Sequence, residues 1–104
     1  MRVSKKLVKI NKAIKRFEQH GYEFYLHHSI FEEPRYEIEC GAPVRGVTTL
    51  YVKIPQVGVF RTVAFCSVDD NFSKIVGTQI AFKRAMEYLS TVLGREALKD
   101  ILDA

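Results

Sequence analysis

The apolar positions of this chain change period twice. From Leu7 to Phe17 they recur at helical spacing, with Leu7, Ile10, Ile14 and Phe17 on one arc and lysines over the rest. Ser4 stands ahead of this run as a candidate N-cap, and Gly21 follows it as a stop. From Tyr22 the period drops to two. Tyr22–Ile30 sets Phe24, Leu26, His28 and Ile30 against Glu23, Tyr25, His27 and Ser29. Glu32-Glu33-Pro34 reads as a break, after which Arg35–Cys40 alternates Tyr36, Ile38 and Cys40 with Arg35, Glu37 and Glu39. A loop on Gly41-Ala42-Pro43 and Gly46 leads into Val47–Ile54, which places Thr48, Leu50, Val52 and Ile54 on one face. Pro55-Gln56-Val57-Gly58 turns the chain, and Val59–Cys66 returns.

Helical spacing resumes after Asp69-Asp70, two acids that can cap a helix and favour its dipole. Ile75, Phe82, Ala85, Met86, Leu89, Val92 and Leu93 form a broad apolar face that Gly94 ends. A short tail helix over Glu96–Leu102 offers Leu98, Ile101 and Leu102 as a docking edge. Strands bracketed by helices predict an α+β fold over residues 1–104 as one domain. The expected architecture is a four-stranded antiparallel sheet with the N-terminal and C-terminal helices packed on one face, in the order α-β-β-β-β-α. The last strand, VFRTVAF, is apolar on both faces apart from Arg61 and Thr62. It suits a central strand, or one whose second face meets another subunit. A homo-oligomer, a dimer or a multiple of dimers, is therefore expected.

Composition narrows the class. At 47% hydrophobic and 12% aromatic the chain can build a core, which argues against disorder. No apolar run approaches the ~20 residues of a membrane span, and the basic N-terminus lacks the apolar stretch of a signal peptide, so a cytoplasmic location is expected. Cys40 and Cys66 read as buried thiols outside any disulfide, with Cys66, at a strand end, the more accessible. The net charge of +4 conceals an asymmetry. Arg2, Lys5, Lys6, Lys9, Lys12, Lys15 and Arg16 stand against Glu18 alone, so the basic character belongs to one helix.

Several chemistries find no footing. His27 and His28 are neighbours on a strand and point to opposite faces, so they cannot chelate one ion. Ser29, Ser67 and Ser73 lack a nucleophile-elbow context, and no phosphate-loop motif is present. Neither enzyme activity nor a metal or cofactor is expected. Two constellations remain. Ser73, Gly77 and Arg84 fall at i, i+4 and i+11 on one line of the second long helix, where a guanidinium and a helix N-terminus suit an anion. Phe60 and Arg61 of the preceding hairpin would add an aromatic wall and a second cation. The alternative is packing: Gly77, Ala81 and Ala85 let the helix approach a neighbour, and Arg84 pairs with Glu87 or Asp70. The other constellation is Lys5, Lys9, Lys12, Lys15 and Arg16 on the first helix, able to track a nucleic-acid backbone or simply to solvate the helix. No aromatic lies on that face to stack a base.

The pattern Cys66-x3-Asp70-x-Phe72-x4-Gly77-x3-Ala81-x2-Arg84-Ala85, after a Gly-containing hairpin, resembles the first-described family of phage anti-Thoeris proteins. That resemblance implies a phage-type anti-defence sponge, built from dimers, that sequesters a cyclic ADP-ribose or cyclic nucleotide signal without turnover. Arg84 matches a ligand-contacting arginine; Ser67 stands where an asparagine is expected, and Tyr88 where a second arginine is expected. Helix, sheet, helix is also the order of double-stranded RNA-binding domains, which set the N-terminus of their second helix on phosphates. Asn71-Phe72-Ser73-Lys74 carries one lysine at that place. A small basic RNA- or DNA-binding regulator, or a protein-directed inhibitor of a host nuclease complex, is the alternative function.

Overall fold

The computed structural model describes residues 5–69 and 73–103, so the caps expected at Ser4 and Asp70 lie outside the described residues. The order of elements is α1 (Lys5–Gln19), β1 (Glu23–Glu37), β2 (Ala42–Ile54), β3 (Gly58–Ser67), α2 (Lys74–Leu93) and α3 (Arg95–Asp103). The three strands form one antiparallel sheet in the order β1-β2-β3.

The sheet has three strands where four were expected. Tyr22–Ile30 and Arg35–Cys40 merge into β1, because Glu32-Glu33-Pro34 interrupts the ladder without ending it. The register passes from Ile30 opposite Gly46 to Arg35 opposite Val44, so Phe31 to Pro34 bulge against Arg45. Pro34 is tolerated because β1 is an edge strand. Ala42 and Pro43, expected in a loop, open β2 opposite Glu37 and Tyr36. Pro43 lies beyond the last pairing with β3, Val44 opposite Ser67, and so leaves no bond to β3 unmade. Ile38 to Cys40 form the turn, and this exposes Cys40; Cys66 is half-buried. The expected ranking of the two thiols is therefore reversed.

β2 is central and β3 is an edge, which removes the first of the two expectations for the last strand, a central place in the sheet. The even positions of β2 are those the alternation marked: Thr48, Leu50, Val52 and Ile54 are buried beneath the helices. The core joins Leu50, Val52 and Ile54 to Phe17, Tyr22, Ala64, Ala81, Ala85 and Leu89. Phe17 of α1 is fully buried, with its ring 5.1 Å from that of Tyr22 and 5.4 Å from that of Phe24. Gly21 closes α1 at φ +88°, a conformation that disfavours any side chain, and donates its N–H to the Glu18 carbonyl at 3.0 Å.

α1 and α2 lie over this one face. Leu7, Ile10 and Asn11 of α1 share a cavity of about 100 Å³ with Thr78 and Phe82 of α2 and with Phe24, Leu26 and Leu50 below. At the other end of α1, Arg16 donates to the Leu102 carbonyl of α3, which follows α2. The two long helices thus run in the same sense, with their N-terminal turns toward one end of the molecule. No helix among the described residues is long and apolar enough to cross a membrane.

Candidate functional site

Helix α2 is fastened to β3 along a seam that contains two residues of the expected anion site, Phe60 and Arg84. Thr62 donates its hydroxyl to the Ala81 carbonyl at 2.7 Å, and Arg84 donates to the carbonyl of Val63 on the edge strand. The partner of Arg84 among the described residues is thus a backbone carbonyl, and not Glu87. Phe60 packs on Tyr88, their ring centroids 4.4 Å apart. Phe60, Arg84 and Tyr88 are brought together here.

The other expected residues lie elsewhere. Ser73 precedes the helix: it is the N-cap, extended at φ −125°, and its hydroxyl accepts from the Val76 N–H at 3.2 Å. The acids at 69–70 were expected in that role. At ~1.5 Å rise per residue, Ser73 and Arg84 stand roughly 16 Å apart along the axis, too far for one phosphate. Gly77 is where α2 meets the sheet. A Cβ there would fall 2.9 Å from Thr48 Cβ and closer still to its hydroxyl oxygen. Ser67 accepts from the Asp69 N–H at 3.2 Å in the turn after β3. Arg61 pairs with Tyr51 in the register, on the face away from the helices.

Thr48, which the sequence marks only as a core-facing strand position, joins the two ends of this arrangement. Its hydroxyl lies 2.8 Å from His28 Nδ1 on β1 and directly under Gly77. Burial lowers the pKa of His28, and the positive charges of Lys74 and His27 lower it further. Lys74, in the first turn of α2, therefore contributes positive potential beside the sheet. A glycine inside a helix, paired with a small hydroxyl residue on the buried face of a strand, was the signal available for this close approach.

The basic helix is different. Lys5, Lys9, Lys12 and Lys15 are all exposed, and no acid among the described residues pairs with them. Lys5, Lys9, Lys12 and Arg16 follow the i, i+4, i+7, i+11 stripe, about a third of a turn from the buried Ile10 and Phe17. Arg16 alone of these is engaged, through Leu102. The acidic side chains Glu32, Glu33, Glu37 and Glu39 belong to the β1–β2 arm. Among the described residues no group of His, Cys, Asp and Glu is placed to hold a metal ion. Comparison with protein-family models, curated proteins and solved structures finds no match to the chain.

Proposed function

We propose that the chain is a small nucleic-acid-binding regulator that grips a duplex backbone with the solvent face of α1. The observation that carries this reading is the row Lys5, Lys9, Lys12 and Lys15, exposed together and without an acidic partner among the described residues. Over ~15 Å of helix these ammonium groups match the dense charge of a duplex, about one phosphate per 1.7 Å of its axis. A row of lysines whose arginine neighbour, Arg16, is engaged with the Leu102 carbonyl, and with no aromatic on that face, favours a sequence-independent grip on phosphates over base stacking. Lys74, at the start of α2, stands at the end toward which α1 also starts, and a helix N-terminus adds amide donors for an anion. The helix-sheet-helix order resembles that of double-stranded RNA-binding domains, so duplex RNA is the first probe. Titration of labelled duplex RNA and duplex DNA, read by fluorescence anisotropy, is expected to give binding that weakens steeply with salt. Absence of binding at low ionic strength overturns the reading.

A second reading rests on Arg84 and Tyr88, one turn apart on the exposed flank of α2, with Phe60 against Tyr88. A cation beside aromatic surfaces supports a phage-type sponge that sequesters a cyclic nucleotide or cyclic ADP-ribose signal. On that reading Arg84 exchanges the Val63 carbonyl for a phosphate. A thermal-shift screen across cyclic dinucleotides, cyclic trinucleotides and cyclic ADP-ribose isomers tests it. Ligand at ~100 times its dissociation constant adds about 2.7 kcal/mol, enough to move a small domain. Both readings place the chain in the cytoplasm, which the thiols of Cys40 and Cys66 suit, and treat it as a homo-oligomer.

A further inference from the structure

The two long helices run side by side in the same sense, and their charges change along them in step. α1 carries one acid, Glu18, and α2 carries one acid, Glu87, each in the later half of its helix. Ahead of those acids every charged side chain is a cation. α2 turns Arg84 and Tyr88 toward β3, where they meet the Val63 carbonyl and Phe60. Its other flank, with Gln79, Lys83 and Met86, therefore faces α1, which packs over β1 at the far edge of the sheet. On α1 the row Lys5, Lys9, Lys12 and Arg16 tilts toward α2. Arg16 shows this, since it reaches Leu102 of α3, and α3 packs against α2. Ile10 and Ile14 share a cavity with Thr78 and Phe82, which sets the level of one helix against the other. Lys83 follows Phe82 and so stands within a turn of the level of Lys12. It is exposed and pairs with no acid among the described residues, Glu87 one turn on included.

We propose that Lys83 completes the nucleic-acid interface, and that one phosphodiester strand of the duplex lies along the furrow between α1 and α2. The inference rests on the backbone-binding reading above and extends it to a second helix. Packed helices stand ~8–10 Å apart axis to axis, so ammonium groups on facing shoulders flank a single row of phosphates. Lys9 and Lys12 line one wall, Lys83 lines the other, and the half-buried Gln79 lies between them. Contacts of this kind fix the course of a backbone without reading its sequence. The shared sense of the helices is what makes the furrow basic. With α2 reversed, Glu87 would stand near Lys5 and interrupt the run of positive charge.

Fluorescence anisotropy with labelled duplex RNA, and with duplex DNA as the other source of the same backbone, tests the furrow. Lys83→Gln is expected to reduce the steepness of log affinity against log salt by about 0.9. That is a loss of about eightfold in affinity at about 0.1 M salt, shrinking toward none at about 1 M. Lys83→Arg keeps the charge and retains the wild-type slope. Lys53→Gln, on the face of the sheet away from the helices, is the control and is expected to change neither quantity. An unchanged circular dichroism spectrum shows that each variant keeps the fold. A wild-type chain that binds, with Lys83→Gln no different from Lys53→Gln, confines the grip to α1; this inference then falls and the reading above stands. Equal loss in Lys83→Arg and Lys83→Gln makes the position structural and overturns the inference in the same way. A wild-type chain that binds neither duplex overturns the reading and the furrow together.

Discussion

The α2–β3 seam and the outer face of α1 both carry cations, yet their cations are in opposite circumstances. On the seam the polar side chains that cross it are engaged: Arg84 with the Val63 carbonyl and Thr62 with the Ala81 carbonyl. On α1, Lys5, Lys9, Lys12 and Lys15 meet no acid among the described residues. A side chain engaged with the backbone stabilises the fold and reaches a ligand only by exchange, whereas an exposed, unneutralised row is available to a polyanion at once. Substitutions in the seam should therefore register in stability, and substitutions on α1 in binding.

Gly77→Ala breaks the comparison most forcefully. The added methyl collides with Thr48, and overpacking of this kind costs about 1–3 kcal/mol, outweighing the ~1 kcal/mol that alanine gains in helix propensity. Chemical denaturation should show a lower midpoint. A stability equal to wild type would mean that α2 does not sit on Thr48.

The next largest effect is expected at Arg84→Ala. Loss of a charge-assisted bond on an exposed flank should lower stability by about 1 kcal/mol. The same substitution should leave duplex binding unchanged. A neutral effect on stability together with loss of cyclic-nucleotide binding would transfer the site to the seam. Thr62→Val, which keeps shape and removes the hydroxyl, is expected to cost slightly less, about 0.5–1.5 kcal/mol, read in the same assay.

These expectations show how unevenly the fold and the site could be read from residues. The period of α1, the buried even face of β2 and the stop at Gly94 were legible, since burial and periodicity coincide there. The merger of two expected strands into β1 was not. Pro34 and Pro43 signal a break locally, but whether a neighbouring strand needs their N–H depends on the sheet order, a tertiary fact. Arg84 shows the same limit. Its line with Gly77 on α2 was legible, but the acceptor that engages it belongs to the edge of β3. The exposure of the lysine row was legible from helical spacing, but its lack of an acidic partner among the described residues is again a tertiary fact.

The smallest effect concerns His28. Its pKa lies below the usual 6.5, so between that value and its lowered one the unfolded chain binds more protons than the folded one. Stability should therefore decline as pH falls below 6.5 and level off beneath the lowered value. His28→Gln should flatten that part of the pH profile of the thermal midpoint. A profile that rises on acidification would place His28 beside a negative partner.

The central claim is that α1, and not the α2–β3 seam, is the functional surface, and the salt dependence of duplex binding tests it most directly. Each phosphate neutralised contributes about 0.9 to the slope of log affinity against log salt, so four lysines give a slope of about −3.6. The chain with Lys5, Lys9, Lys12 and Lys15 all replaced by Gln should lose most of that slope and nearly all of its affinity, while Arg84→Gln keeps both. A lysine-free α1 that binds as before, with Arg84→Gln abolishing binding, would contradict the account.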